Sequence, residues 1–221
     1  LPGQFSVSRN NVLLIERADA PGEPYPGLWS LPGGFIDVES DRDLEDCAIR
    51  KLKEKTGVMS PYLEQLGSWG DATRDPRGWS STHAYVALVS SESAVLRKGA
   101  NAADVRWFPL VDGAVKPRLA FDHAKVLQAA IARLRNKVEY TSLPAHLLPE
   151  EFTLSDLQKM YEVVLGRRIE KSAFRTRVLS SDLVEAVPRM REGPNRPAQI
   201  YRLTNPRQLV FFPRTFNPPR E

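Results

Sequence analysis

Along the first half of the chain, apolar residues come in short blocks whose spacing switches between two and about three and a half. Asn11 to Arg17 (NVLLIER) and His83 to Ser90 (HAYVALVS) read as strands, bounded by turn formers such as Asn10-Asn11 and Arg77-Gly78. Val105 to Leu110 (VRWFPL) reads as a further short strand. Asp41 to Thr56 holds neither Pro nor Gly and is followed by Gly57, which predicts a helix with a glycine stop. A second helix is expected from about Phe121 to Lys137, where Val126, Leu127, Ala130, Ile131 and Leu134 recur at helical spacing. Strands before and after helices make this block α+β or α/β.

Pro144, Pro149 and the Glu150-Glu151 pair then punctuate the pattern, placing a boundary in Tyr140 to Glu150 and domains at 1–140 and 141–221. Beyond it, Leu154, Leu157, Tyr161 and Val164 line one stripe of a helix from Thr153 to Leu165, with Thr153 and Asp156 placed as a capping pair and Gly166 as the stop. A short turn leads to a second helix, Lys171 to Ser180, and then to strands Leu183 to Arg189 and Ala198 to Leu203 joined by Met190 to Pro197. Helix, turn, helix and basic hairpin is the order of a winged helix-turn-helix. Phe174 and Val178 mark the buried line of its second helix, leaving Ser172, Ala173 and Thr176 roughly opposite with Arg175 and Arg177 on the flanks, and Lys171 at the helix start is a further candidate DNA contact. Small groups flanked by Arg suit a helix lying in the major groove, and Arg191 and Arg196 at the hairpin would reach phosphates or a minor groove. The same fold also serves protein contacts, which would leave this basic face merely solvated.

Composition narrows the class. The 221 residues are 42% hydrophobic and 26% charged, ordinary for globular chains and unlike disordered or disulfide-scaffold ones. The longest apolar run, Val126 to Ala132, is far too short to span a membrane. The single cysteine, Cys47, excludes an internal disulfide and makes a reducing cytoplasm the expected compartment; the chain opens at Leu1 with no charged-then-apolar leader. The net charge of +4 comes entirely from the last third: residues 1–145 balance 18 basic against 18 acidic, whereas from Val163 onward 12 basic residues face 5 acidic ones. That excess is the electrostatic footprint of nucleic-acid binding.

Gly33 to Val58 (GGFIDVESDRDLEDCAIRKLKEKTGV) resembles the Nudix box, G-x5-E-x7-R-E-U-x-E-E-x-G-U with U apolar, through Arg50, Leu52, Glu54, Gly57 and Val58, and LWSLPGG (Leu28 to Gly34) before it is also typical. In active members the glutamates of REUxEE put carboxylates on one helical face, where they hold Mg²⁺ against a pyrophosphate. Here those places carry Lys51, Glu54 and Lys55, so the local formal charge goes from −3 to +1 and repels a divalent cation. The early Glu is missing too: counting forward from Gly34 reaches Ser40, counting back from Arg50 reaches Arg42, and two extra residues lie between. Neither a catalytic nor a metal site is expected. Leu44, Cys47 and Ala48 define the inward face, and Lys51, Glu54 and Lys55 continue it, which is costly unless the lysines border a solvated cavity or meet an anion. A pocket that kept a pyrophosphate-sized ligand and replaced its metal by lysine fits; lysines complementing the helix dipole in water are the alternative.

Arg17 at a strand end and Arg77 in the turn RDPRGW (Arg74 to Trp79) are further candidate phosphate contacts, and Trp29, Phe35 and Trp79 candidate stacking platforms. His83, His123 and His146 have no metal-ligand spacing, and Asp122-His123 reads as structural.

With RKLKEKTG, RDPRGW, LLPEEFTLSDLQ (Leu147 to Gln158) and RPAQIYRLT (Arg196 to Thr204), nearly the whole chain resembles the NrtR family, Nudix-related transcriptional regulators of NAD metabolism. The resemblance implies an α+β chain: a Nudix-like α/β/α sandwich followed by a winged helix-turn-helix. It further implies a homodimeric repressor on double-stranded palindromic operator DNA near NAD biosynthesis or salvage genes. ADP-ribose or a related nucleotide would act as effector, with no cofactor, lowering operator affinity from the Nudix-like pocket. The competing reading is a Nudix ADP-ribose pyrophosphatase working through Glu54 and carboxylates such as Glu39, Asp41 or Asp43.

Overall fold

In the computed structural model, residues 11–60, 62–89, 96–97, 99, 102–111, 113–192, 196–206 and 208–212 are described. The tip of the expected hairpin, 193–195, and the strand end at Ser90 lie outside them. The chain divides into two compact units, one of Asn10–Arg133 and one beginning at Leu134. The division falls earlier than residue 140 because the last turns of the second helix carry Leu134 and Val138, which pack into the core of the second unit.

In the first unit, strand β1 (Asn11–Arg17) pairs antiparallel with β2 (Trp29–Ser30) on one side and β5 (Ala102–Pro109) on the other. The alternation of β1 divides its side chains between two layers. Leu13 and Ile15 pack with Val58, Ala102, Val105 and, from helix α1 (Leu44–Thr56), Leu52. Leu14, fully buried, packs with Leu119 and, from helix α2 (His123–Val138), Leu127 and Ile131. Each such fully buried side chain contributes roughly 1.5–3 kcal/mol. The sheet between two helices is the expected α/β/α sandwich. A separate hairpin, β3 (Tyr62–Asp71) with β4 (Ser80–Leu88), completes the unit. β3 escaped the sequence pattern because Gly67 and Gly70 interrupt its alternation and a bulge lies between Gln65 and Gly67. The strands approach closely at Gly70, where an added methyl would lie 3.3 Å from Ser81 Cβ.

α1 starts three residues later than expected, because Asp43 caps it by accepting from the Asp46 amide; it ends at Gly57, left-handed at φ 75°. On it Cys47 and Thr56 are buried and Lys51, Leu52 and Lys55 are half-buried, whereas Glu54 is exposed.

In the second unit, β6 (Phe152–Thr153), α3 (Leu154–Leu165), α4 (Lys171–Leu179), β7 (Val184–Arg191) and β8 (Ala198–Leu203) form a winged helix with sheet order β6-β8-β7. Thr153 and Asp156 make a full capping box, each side chain accepting from the other's backbone amide, which stabilises the start of α3 by about 1 kcal/mol. Leu157, Phe152, Tyr161, Phe174 and Val178 form the core, with the Tyr161 and Phe174 rings edge to face at 5.2 Å. A 3-10 turn, Leu143–Leu147, precedes β6. Among the described residues, no helix is long and apolar enough to cross a membrane.

Candidate functional site

In the first unit the positive groups collect where α1 ends and β1 leaves the sheet. Lys51 Nζ lies 3.3 Å from Glu54 Oε2, and its side chain is 19% exposed. Burial, with the Lys51 charge next to it, pulls the Lys55 ammonium below the ordinary lysine value; Glu54 and Glu23 act the other way, and Arg17 adds to the depression. Two lysines and an arginine thus crowd one partly covered place, and an anion entering it relieves their repulsion. Glu54 is held below the usual carboxylate range by hydrogen bonds from Arg50 and then Lys51. Its charge is therefore already answered.

Arg17 is fixed from three sides: Nε donates to the Pro24 carbonyl at 2.7 Å, Nη2 pairs with Glu23 at 2.5 Å, and the guanidinium carbon sits 4.8 Å from the centre of the Phe121 ring. Phe121 and Tyr25 both adopt left-handed backbone, φ 55° and 56°, and their rings meet edge to face at 4.9 Å. Two non-glycine residues in that region each store about 1–3 kcal/mol, and one of them, Phe121, carries the ring that lies over the arginine. Neither Phe121 nor Tyr25 carried a sequence signal, because nothing local announces a positive φ at an aromatic residue.

Arg77 pairs with Asp75 at 2.8 Å and lies 5.4 Å from the centre of the Phe35 ring, with Glu23 in electrostatic range. Phe35 and Trp79 are both largely exposed, at 76% and 70%. Trp29 is not brought to this group. It packs with Leu14 and Phe108 on the α2 face of the sheet, its ring edge to face with Phe108 at 4.6 Å and covered by Arg106 at 5.8 Å. As a half-buried ring in a core layer, Trp29 has the surroundings of a packing residue.

No set of three or more carboxylate, histidine or cysteine side chains placed to hold a metal occurs among the described residues. The Mg²⁺ of hydrolytic Nudix sites does not fit the ammonium-bearing face of α1. Asp122 and His123 are structural: Arg74 donates to both Asp122 oxygens, at 2.9 and 3.2 Å, and His123 Nδ1 accepts from the Leu31 amide at 3.0 Å. Burial pushes His123 down to about 4, so it is neutral at physiological pH.

In the second unit α4 is capped by Glu170, which accepts from the Ser172 and Ala173 amides. Phe174 and Val178 are buried, and Lys171, Ser172, Ala173 and Thr176 face outward. Arg175 is half-buried, with its Nε enclosed and without a hydrogen-bond partner among the described residues. Arg196 is exposed. The structure ties down the other two arginines. Arg177 donates to the Glu139 carbonyl at 3.0 Å and lies over the Phe212 ring, and Arg191 pairs with Asp156 at 2.7 Å. Neither tie has a local signature, because the partners stand 38 and 35 positions away, so these two arginines are not the free DNA contacts expected.

A family model of the Nudix domain matches residues 5–130, and one of the NrtR DNA-binding winged helix domain matches residues 144–203. The chain is 46% identical over 218 residues to the ADPR-responsive transcriptional repressor NtrR of Acinetobacter baylyi, covering 98% of this chain and 85% of the relative. The chain belongs to the NrtR family. Shewanella oneidensis NrtR, in a crystal structure with a 27mer DNA, is 42% identical and superposes with a TM-score of 0.81 over 92% of this chain and 90% of that one. The NUDIX domain of Shewanella oneidensis NrtR, in a cocrystal structure with ADP ribose, is 45% identical with a TM-score of 0.51, covering 57% of this chain and 79% of that one. Membership in the NrtR family accounts for a Nudix sandwich and a winged helix in one chain. It gives the crowded cations of the first and the outward face of α4 in the second a common context.

Proposed function

We propose that this chain is a transcriptional repressor whose winged helix binds operator DNA and whose Nudix-like unit binds ADP-ribose without hydrolysing it, releasing the DNA. The likeness over 98% of the chain to an ADPR-responsive repressor carries the reading. Supporting it, Lys51 and Lys55 stand where metal-binding carboxylates belong, with Arg17 in electrostatic range of Lys55 and with Glu23 in electrostatic range of both Lys55 and Arg77. Lys171, Ser172, Arg175, Thr176 and Arg196 supply the DNA face, with Arg177 and Arg191 contributing through the shape of the winged helix. The repressor works as a cytoplasmic homodimer on genes of NAD biosynthesis or salvage, with no cofactor besides its effector.

Release of DNA by ligand is a linkage: if ADP-ribose binds the DNA-incompetent arrangement better, DNA must weaken ADP-ribose binding by the same factor. The test is a fluorescence-anisotropy titration on the DNA upstream of candidate NAD genes, with and without ADP-ribose, alongside chromatography for AMP in the presence of Mg²⁺ or Mn²⁺. Salt-dependent binding weakened by ADP-ribose, with no AMP formed, is the expected result. Efficient AMP release abolished by Glu54→Gln would establish the pyrophosphatase instead.

A further inference from the structure

The lysine-bearing face of α1 is ordered by a relay of ion pairs that begins outside the helix. The Asp41 side chain is only 2% exposed and receives two arms of Arg50, Nε on Oδ1 at 2.6 Å and Nη2 on Oδ2 at 2.5 Å. The Asp37 amide donates to the same carboxylate at 2.9 Å, and the Asp41 amide donates back to the Asp37 carbonyl at 2.8 Å, closing a turn within the segment that is two residues longer than the box pattern. From the far side of Arg50, Nη1 reaches both Glu54 oxygens, at 3.0 and 3.2 Å. Glu54 Oε2 in turn accepts from Lys51 Nζ at 3.3 Å. The stem of Lys51 lies against Gly34, where an added methyl would stand 3.0 Å from Cδ and Cε.

We propose that Asp41, acting through Arg50 and Glu54, is a positioning residue that holds the Lys51 ammonium ready for the diphosphate of the effector. Ion-paired side chains then do the orienting that a divalent cation does in hydrolytic Nudix proteins, and ligand binding needs no metal. This rests on the effector reading above. Counting for the first box carboxylate lands on Ser40 from one end and Arg42 from the other; Asp41, between them, is the residue that takes Arg50. A lysine on a flexible four-carbon stem otherwise loses its rotamer freedom when it meets a phosphate, and fixing it beforehand removes that cost from binding. Two carboxylates, Asp41 and Glu54, against Arg50, Lys51 and Lys55 leave the face with one net positive charge, suited to an anion.

The experiment is calorimetric titration of the full chain with ADP-ribose in EDTA, as a double-mutant cycle of Asp41→Asn and Lys51→Met. Each single substitution is expected to weaken binding about tenfold, and the double no more than about twofold beyond Lys51→Met alone, because Asp41 acts through Lys51. Losses that multiply would overturn the proposal, as would binding by the unaltered chain that requires Mg²⁺. Gly34→Ala, which crowds the Lys51 stem and leaves the Asp41–Arg50 pair intact, repeats the cycle: a loss in the unaltered background and none on Lys51→Met is expected, and the reverse refutes it. If Asp41→Asn does not fold, the Gly34 cycle decides. Absence of any ADP-ribose binding by the unaltered chain would sink the effector reading itself, a result distinct from a failed cycle.

Discussion

Arg177, on the flank of the second helix of the winged helix, holds its guanidinium carbon 4.5 Å from the centre of the Phe212 ring while donating to the Glu139 carbonyl. This arginine fastens α4 to the chain segment that follows α2 and to the one that follows β8. Arg177→Ala should therefore cost about 2–4 kcal/mol of unfolding free energy, the sum expected of an exposed cation–π contact and a charged hydrogen bond. Urea denaturation measures it; an unchanged midpoint would return Arg177 to the list of free DNA contacts.

Lys171 on the outward face of α4 and the half-buried Arg175 beside it behave differently. Lys171→Ala or Arg175→Ala is expected to weaken operator binding by about 1–3 kcal/mol and to lower the slope of log K against log salt by about one, as removal of a phosphate contact does. Arg177→Ala should leave that slope unchanged. Anisotropy titrations at several salt concentrations distinguish the two.

Restoring carboxylates to α1 should harm ligand binding rather than repair it. In EDTA, Lys51→Glu with Lys55→Glu converts a cationic face into an anionic one and is expected to reduce ADP-ribose affinity at least about a hundredfold, roughly tenfold for each charge reversed. Calorimetry reads this directly, and an affinity within threefold of the unaltered chain would show that the lysines point to water.

His123 supplies a pH dependence of stability. Burial is the main cause of its low value of about 4, with Asp122 opposing it and Arg74 and Arg17 reinforcing it. Its folded value lies below the unfolded one of about 6.5, so the unfolded state takes up the proton first. The stability it contributes is complete above about pH 6.5 and is lost as pH falls toward 4, by up to about 3 kcal/mol. His146, also lowered by burial, acts in the same direction. Denaturant titrations at pH 7.5 and 5.0 should show the loss, and His123→Gln, which keeps an acceptor for the Leu31 amide, should show less of it.

Much of the fold was legible because its signals are local. The strand Asn11–Arg17, the glycine stops at Gly57 and Gly166, and the Thr153–Asp156 cap each depend on residues a few positions apart, and the structure holds them where the pattern placed them. β2 and β6 were missed because two-residue strands carry no period to read. Among the site residues, Arg17, Lys51, Glu54 and Lys55 come together because the helix register and the sheet order fix their directions. Trp29 goes to the α2 face because the pleat of β2, paired with β1, turns it there.

By itself the sequence determined the order of elements, the winged-helix pattern and the presence of Lys51 and Lys55 on α1, since these are matters of residue identity and short-range period. Only the tertiary structure decided that Asp41 takes Arg50, that the Phe121 ring covers Arg17, and that Arg177 and Arg191 are tied to their own unit. An ion pair or ring contact is specified by where two side chains end in space. Long flexible stems on residues far apart in sequence reach those places only once the backbone between them has folded.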